Sequence, residues 1–178
     1  MEPADLKIWK QLERKANEAL DLGQPASVSG ATRVLQFQVL PSFSNPRSWS
    51  LYRHTTGYTA TQIMWHRHGK APSPEALMFD PVAKLQLRYK GAEPTLTSTE
   101  RAIDAQQMER LLEQLNNLKI PLMPSDGFGL DGTTYELRLG RLSRAATLCW
   151  WCDQPVEWKP LQQWARELLE LFGDGYDN

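Results

Sequence analysis

Cysteine is scarce in this 178-residue chain, with only Cys149 and Cys152 present. Two thiols give no disulfide framework, so a reducing, cytoplasmic setting is expected. Histidine is nearly as scarce, at His54, His66 and His68. No apolar run approaches the roughly 20 residues that a membrane-spanning helix needs. The opening MEPADLKIWKQLERK mixes charged and apolar residues without an apolar core, so no secretory signal is expected. The net charge of −1 provides no overall basic field to attract nucleic acid or anionic lipid.

The usual short catalytic patterns are also missing. Neither G-x-S-x-G nor H-E-x-x-H occurs. SDGFGLDG (125–132) has two Asp-Gly pairs but lacks the ligand spacing and closing Glu of a calcium loop. It precedes a strand rather than a helix and has no Gly-Lys-Ser/Thr, so it is not a phosphate cradle. It reads as a connector that uses Gly for positive φ. Glu109 with Glu113, and Glu167 with Glu170, read as solvated helix-surface charges.

Tryptophan, by contrast, is abundant, with seven residues. Trp fills cores and anchors interfaces, so the excess fits both uses. The apolar spacing supplies the fold. Residues 5–22 carry Leu6, Trp9, Leu12, Ala16 and Leu20 at helical intervals, with Asp5 as N-cap and Gly23 as terminator. TRVLQFQVL (32–40) alternates as a strand, with Leu35, Phe37 and Val39 on one face. SWSLYRHTTGYTATQIMWHRHG reads as a hairpin turning at Thr56-Gly57. That turn places Trp49, Leu51 and Met64 on one face and Tyr52, Ile63 and Trp65 on the other. KLQLRY (84–89) and 94–100 read as further strands, and the turn-rich 69–81 stretch as the one subdomain seam.

Asp104 with Gln107 forms a capping-box pattern. It opens a helix with the stripe Met108, Leu111, Leu112, Leu115 and Leu118, stopped by Pro121 and Pro124. A second hairpin follows over TTYELRLGRLSRAATLCWW. The last helix, 158–172, carries Trp158, Leu161, Trp164, Ala165, Leu168, Leu171 and Phe172 on one side. The expected fold is α+β: one domain over 1–178, with a mainly antiparallel sheet of five to six strands packed with three amphipathic helices. Residues 173–178 read as a disordered acidic tail.

Cys149-Trp150-Trp151-Cys152 is the one motif with redox or metal potential. A redox C-x-x-C places its first thiol at a helix N-terminus, whereas this one sits in an alternating strand, where positions three apart face opposite ways. A turn at Gly140–Ser143 pairs Tyr135 with Leu148 and Leu137 with Ala146. Trp150 and Cys152 then face the core, while Cys149 and Trp151 share the other side with Thr134, Glu136, Arg138 and Thr147. Inert thiols are the expectation, with neither metal nor cofactor.

From Asp131 the sequence runs Asp-Gly-Thr-Thr-Tyr-Glu-Leu, then a hairpin, Trp150-Trp151, Pro155-x-x-Trp158 and an amphipathic helix. Residues 131–172 resemble small uncharacterised bacterial proteins with this C-terminal pattern and are loosely similar to immunity-type proteins. The resemblance implies a partner protein and carries over no catalytic residues.

The functional expectation is a non-catalytic cytoplasmic binding protein, immunity-type or regulatory, whose partner is another protein. Its expected binding residues are Trp151, Arg138, Glu136, Tyr52 and Trp65; no membrane is involved, and the oligomeric state is left open. The alternative is a metal-binding protein or hydrolase using His66, His68 and the Cys149/Cys152 pair, since two His with two Cys match a structural zinc set. Arg53, Arg67, His68 and Lys70 near Tyr52 and Trp65, with Arg138, Arg141 and Arg144 at the second hairpin tip, form a basic-aromatic mix. The near-zero net charge weighs against nucleic acid.

Overall fold

The computed structural model describes residues 4–23, 26–27, 29–42, 44–66, 95–122, 132–141, 144–152 and 155–174; the side chains of 4–9, 141 and 144 are outside that description. Helix α1 (Ala4–Leu22) precedes strands β1 (Thr32–Pro41), β2 (Arg47–His54), β3 (Gly57–His66) and β4 (Thr95–Ile103). Helix α2 (Ala105–Asn117) follows, then β5 (Thr133–Arg141) and β6 (Arg144–Trp151). A 3-10 turn (Val156–Trp158) leads into helix α3 (Lys159–Phe172). The strands form one six-stranded sheet in the order β4-β3-β2-β1-β5-β6, and every neighbouring pair is antiparallel. The class is α+β, as the hydrophobic periods imply. Residues 67–94, including KLQLRY and the expected seam, are outside the described residues, as are 123–131.

One sheet face carries the main core. Leu35, Phe37 and Val39 of β1, Trp49 and Leu51 of β2, and Tyr135 and Leu137 of β5 pack beneath Met108 and Leu111 of α2 and Leu161, Trp164, Leu168 and Phe172 of α3. Asp104 caps α2 as its spacing implies, its carboxylate accepting from the Gln107 N–H at 2.7 Å. In α3 the buried stripe includes Leu169, which the sequence reading omitted, while Leu171 is only partly buried. Asp5 lies inside α1 rather than at its cap, a shift within ordinary end fraying.

The opposite face differs from a plain wet face. At its centre Gln36, Gln38, Ser48, Ser50 and Thr61 are buried beneath α1. Buried amides need partners, and the last turn of α1 has carbonyls without helical ones. Gln36 Nε2 donates to Leu20 O at 2.7 Å and to Ser48 Oγ at 2.9 Å. Gln38 Nε2 donates to Asp21 Oδ1 at 2.9 Å, and Arg33 Nη1 to Leu22 O at 3.1 Å. A small apolar cluster of Ala16, Leu20, Ile63 and Trp65 holds the other side of the helix. Gly23, which ends α1 at φ 65°, is needed twice over: an added Cβ would meet Ser50 Oγ.

Both hairpins keep the expected faces but slip by two residues. His54 pairs with Gly57, so the first loop is Thr55-Thr56 rather than Thr56-Gly57. Arg141 pairs with Arg144, which moves Tyr135 opposite Trp150 and Leu137 opposite Leu148. A slip of two leaves every side chain on its original face because the strand period is two.

Of the tail expected to be disordered over 173–178, Gly173 and Asp174 are held in place, and 175–178 are outside the described residues. Asp174 Oδ2 accepts from Arg47 Nε at 2.6 Å and from the Trp49 indole N–H at 3.1 Å, fastening the end of α3 to β2. The Arg47 side chain is 7% exposed and that of Asp174 17%. Replacing Asp174 with Asn removes one carboxylate from a nearly buried guanidinium. Asp174→Asn should therefore cost roughly 3 kcal/mol, read from chemical denaturation midpoints; a loss within about 0.5 kcal/mol would mean that the pair does not hold the helix end.

Candidate functional site

The expected binding residues divide into two groups. Tyr52 and Trp65 are 8% and 5% exposed. Trp65 packs with Ala16, Leu20 and Ile63, and Tyr52 lies opposite Arg33, so both are spent on the fold. Trp151, Glu136 and Arg138 come together on the α1 side of β5 and β6, where each remains partly exposed. Helix α1 packs against β2 and β3, and its C-terminal Asp21 reaches only as far as β5.

Asp21 Oδ1 accepts from Arg138 Nη2 at 3.0 Å, and Glu136 accepts from Arg138 Nε. The guanidinium is thus clamped between two carboxylates beside Cys149, which lies opposite Glu136. Trp151 lies opposite Thr134 and packs on Gly132, where a Cβ would crowd both its ring and Cys152 Sγ. Of the six tryptophans whose side chains are described, the other five are 3–6% exposed, so Trp151 alone keeps access to solvent. Its indole nitrogen is enclosed and makes no hydrogen bond. The tryptophan excess is therefore mainly core, as the Phe37, Tyr135, Trp150 and Trp158 ring cluster shows.

No family model matches this chain, and no curated protein or solved structure shows significant similarity to it.

Cys149 is exposed on the α1 side, while Cys152 packs against the main core. His66 donates to or accepts from Thr97 Oγ1 at 2.8 Å, on a strand four places from β6. At the usual strand spacing that is about 19 Å across the sheet, too far for His66 and the cysteines to share an ion. His68 is outside the described residues. Among the described residues no group of three His, Cys, Asp or Glu side chains could hold a metal.

Of the basic-aromatic mix, Arg67, His68, Lys70 and the side chains of Arg141 and Arg144 lie outside the described residues. Arg53 pairs with Glu109 at 3.0 Å and lies 5.7 Å from the Tyr58 ring centre. Glu109 is thus not the free surface charge the helix pattern implied: it accepts from the Tyr58 hydroxyl at 2.6 Å, tying α2 to the first hairpin. Among the described residues a groove of about 460 Å³ lies between α2 and α3, lined by residues that include Arg110, Glu113, Asn117, Gln163, Trp164 and Glu167. Its charges are mixed and its one large ring is satisfied, the Trp164 N–H donating to Leu111 O.

Two ionisations test these placements. Burial and the neighbouring Glu136 carboxylate push the Cys149 thiol up from its ordinary value, which makes thiolate scarce at neutral pH. Alkylation of Cys149 should be slower than that of a peptide thiol, and Glu136→Gln should speed it; a faster thiol would reopen redox chemistry. Burial and the bond to Glu109 push the Tyr58 phenol up to about 12. The fold favours the neutral phenol, so this stabilisation is complete below the ordinary value of 10.0 and is lost as pH rises through about 12. Phenolate absorbance should show this late ionisation, and Glu109→Gln should bring it earlier.

Proposed function

We propose that the chain is a non-catalytic binding protein whose partner is another protein, docking on the α1 side of β5 and β6. The observation that carries this reading is Trp151, partly exposed beside the Glu136–Arg138–Asp21 clamp while the other described tryptophans are buried. A rigid ring next to fixed charges of both signs is the composition of an interface anchor with a polar rim. Among the described residues the two thiols are separated, and His54 and His66 engage threonine hydroxyls on β2–β4, away from this face. Free thiols suit a cytoplasmic protein, and an immunity-type or regulatory role fits a surface of this kind.

The test compares two adjacent residues. Trp150 is 5% exposed within the ring cluster, so Trp150→Ala should cost roughly 3–5 kcal/mol in a thermal or denaturant melt. Trp151→Ala should leave the fold much closer to wild type. In affinity capture from the source organism, it should lose one specific protein that the wild type retains. Equal destabilisation by both substitutions would assign Trp151 to the core and remove the anchor.

A further inference from the structure

We infer that the free edge of β6 pairs with β6 of a second copy, joining two sheets into one. The inference is independent of the Trp151 face as a site for a foreign partner and stands on backbone geometry. Cys152 N donates to Thr133 O at 2.9 Å, and these two residues are opposite each other in the β5–β6 register. They therefore form a hydrogen-bonded antiparallel pair, and such pairs recur at every second residue. Trp150, Leu148 and Ala146 accordingly spend their backbone groups on β5. Ala145, Thr147, Cys149 and Trp151 point theirs outwards, to the edge.

Among the described residues no strand pairs with that edge, and its own sequence does not blunt it. Ala145, Thr147 and Cys149 are exposed, and no charge or proline occurs between Ala145 and Trp151. Natural edges are normally blunted by such residues. The opposite edge differs: β4 carries Glu100 and Arg101, and Ser27 clamps Glu100 through its N–H at 3.0 Å and its hydroxyl at 2.5 Å. Thr95 and Ser98 of β4 have further interactions of their own.

Self-pairing follows because one register uses every free group. With the two-fold axis at Leu148, Ala145 lies opposite the second copy's Trp151 and Thr147 opposite its Cys149, and the reverse. Each outward N–H then meets an outward carbonyl. Faces match as well, since residues directly opposite in an antiparallel pair share a side. On the α1 side Trp151 gains a small neighbour in Ala145, and on the main-core side Trp150 meets Ala146. One strand pair is a small interface, so the dimer should be weak and form in the micromolar range.

Sedimentation velocity across that range should show a reversible monomer–dimer equilibrium. Thr147→Pro removes an outward N–H at a position where an edge strand tolerates proline, and it should weaken association at least about tenfold. Ala145→Lys, on an exposed side chain, should do the same with an unchanged melting curve, which guards against misfolding in the first variant. Thr147→Cys should form a covalent dimer under mild oxidation, through the second copy's Cys149. A monomer at all concentrations overturns the inference. So does a dimer indifferent to both Thr147→Pro and Ala145→Lys, or an edge that takes only a foreign strand. Thr147→Pro retains the Trp151 ring, so partner capture that survives in it separates this edge from the binding face.

Discussion

Strand β1 is buried on both faces, and its two glutamines govern how the rest is arranged. An unpaired amide in that position would cost several kcal/mol. Gln36 and Gln38 avoid this by donating to the C-terminal turn of α1, whose carbonyls need donors for the same reason. Two deficits cancel, and α1 is fixed with its end over β1. The helix cannot then also cover β5 and β6 on that side, and Trp151 stays partly exposed. Gly23 belongs to the same constraint, because only a residue without a side chain can turn the chain away above Ser50.

The opposite face is closed by more conventional means. Two amphipathic helices cover an aromatic sheet surface, and their ends are fastened by polar bonds at the rim. Glu109 ties α2 to the first hairpin through Tyr58 and Arg53, and Asp174 ties the end of α3 to Arg47 and Trp49. In each case one carboxylate gathers donors from a single hairpin. Apolar burial supplies most of the adhesion, while these pairs specify where along the sheet each helix stops.

The two cysteines show how a strand disarms a motif. Spaced three apart in an extended chain, they lie on opposite faces, one in a polar setting and one against the core. The same alternation separates two adjacent tryptophans, giving Trp150 to the ring cluster and leaving Trp151 at the surface. Chemistry and recognition at this strand are therefore decided by parity, and the Glu136 carboxylate further discourages a reactive thiolate at Cys149.

Local periodicity alone determined the helices, the Asp104 cap, the hairpins and the face of every described strand residue considered above. It did so because a period of two survives the two-residue slips seen at both turns. It also placed Trp151, Glu136 and Arg138 together, since they are neighbours within one hairpin. What it could not determine was which polar residues are buried. Gln36, Gln38, Glu109 and Asp174 look like surface groups in sequence, and their partners lie 12 or more residues away. Tyr52 and Trp65, expected at a binding surface, are buried for the same reason: whether a sheet face is open depends on where a distant helix lands. The pairing of β1 with β5, across roughly a hundred residues, and the docking of α1 on glutamine amides are properties of the assembled chain. Only tertiary contact brings those donors and acceptors within reach of one another.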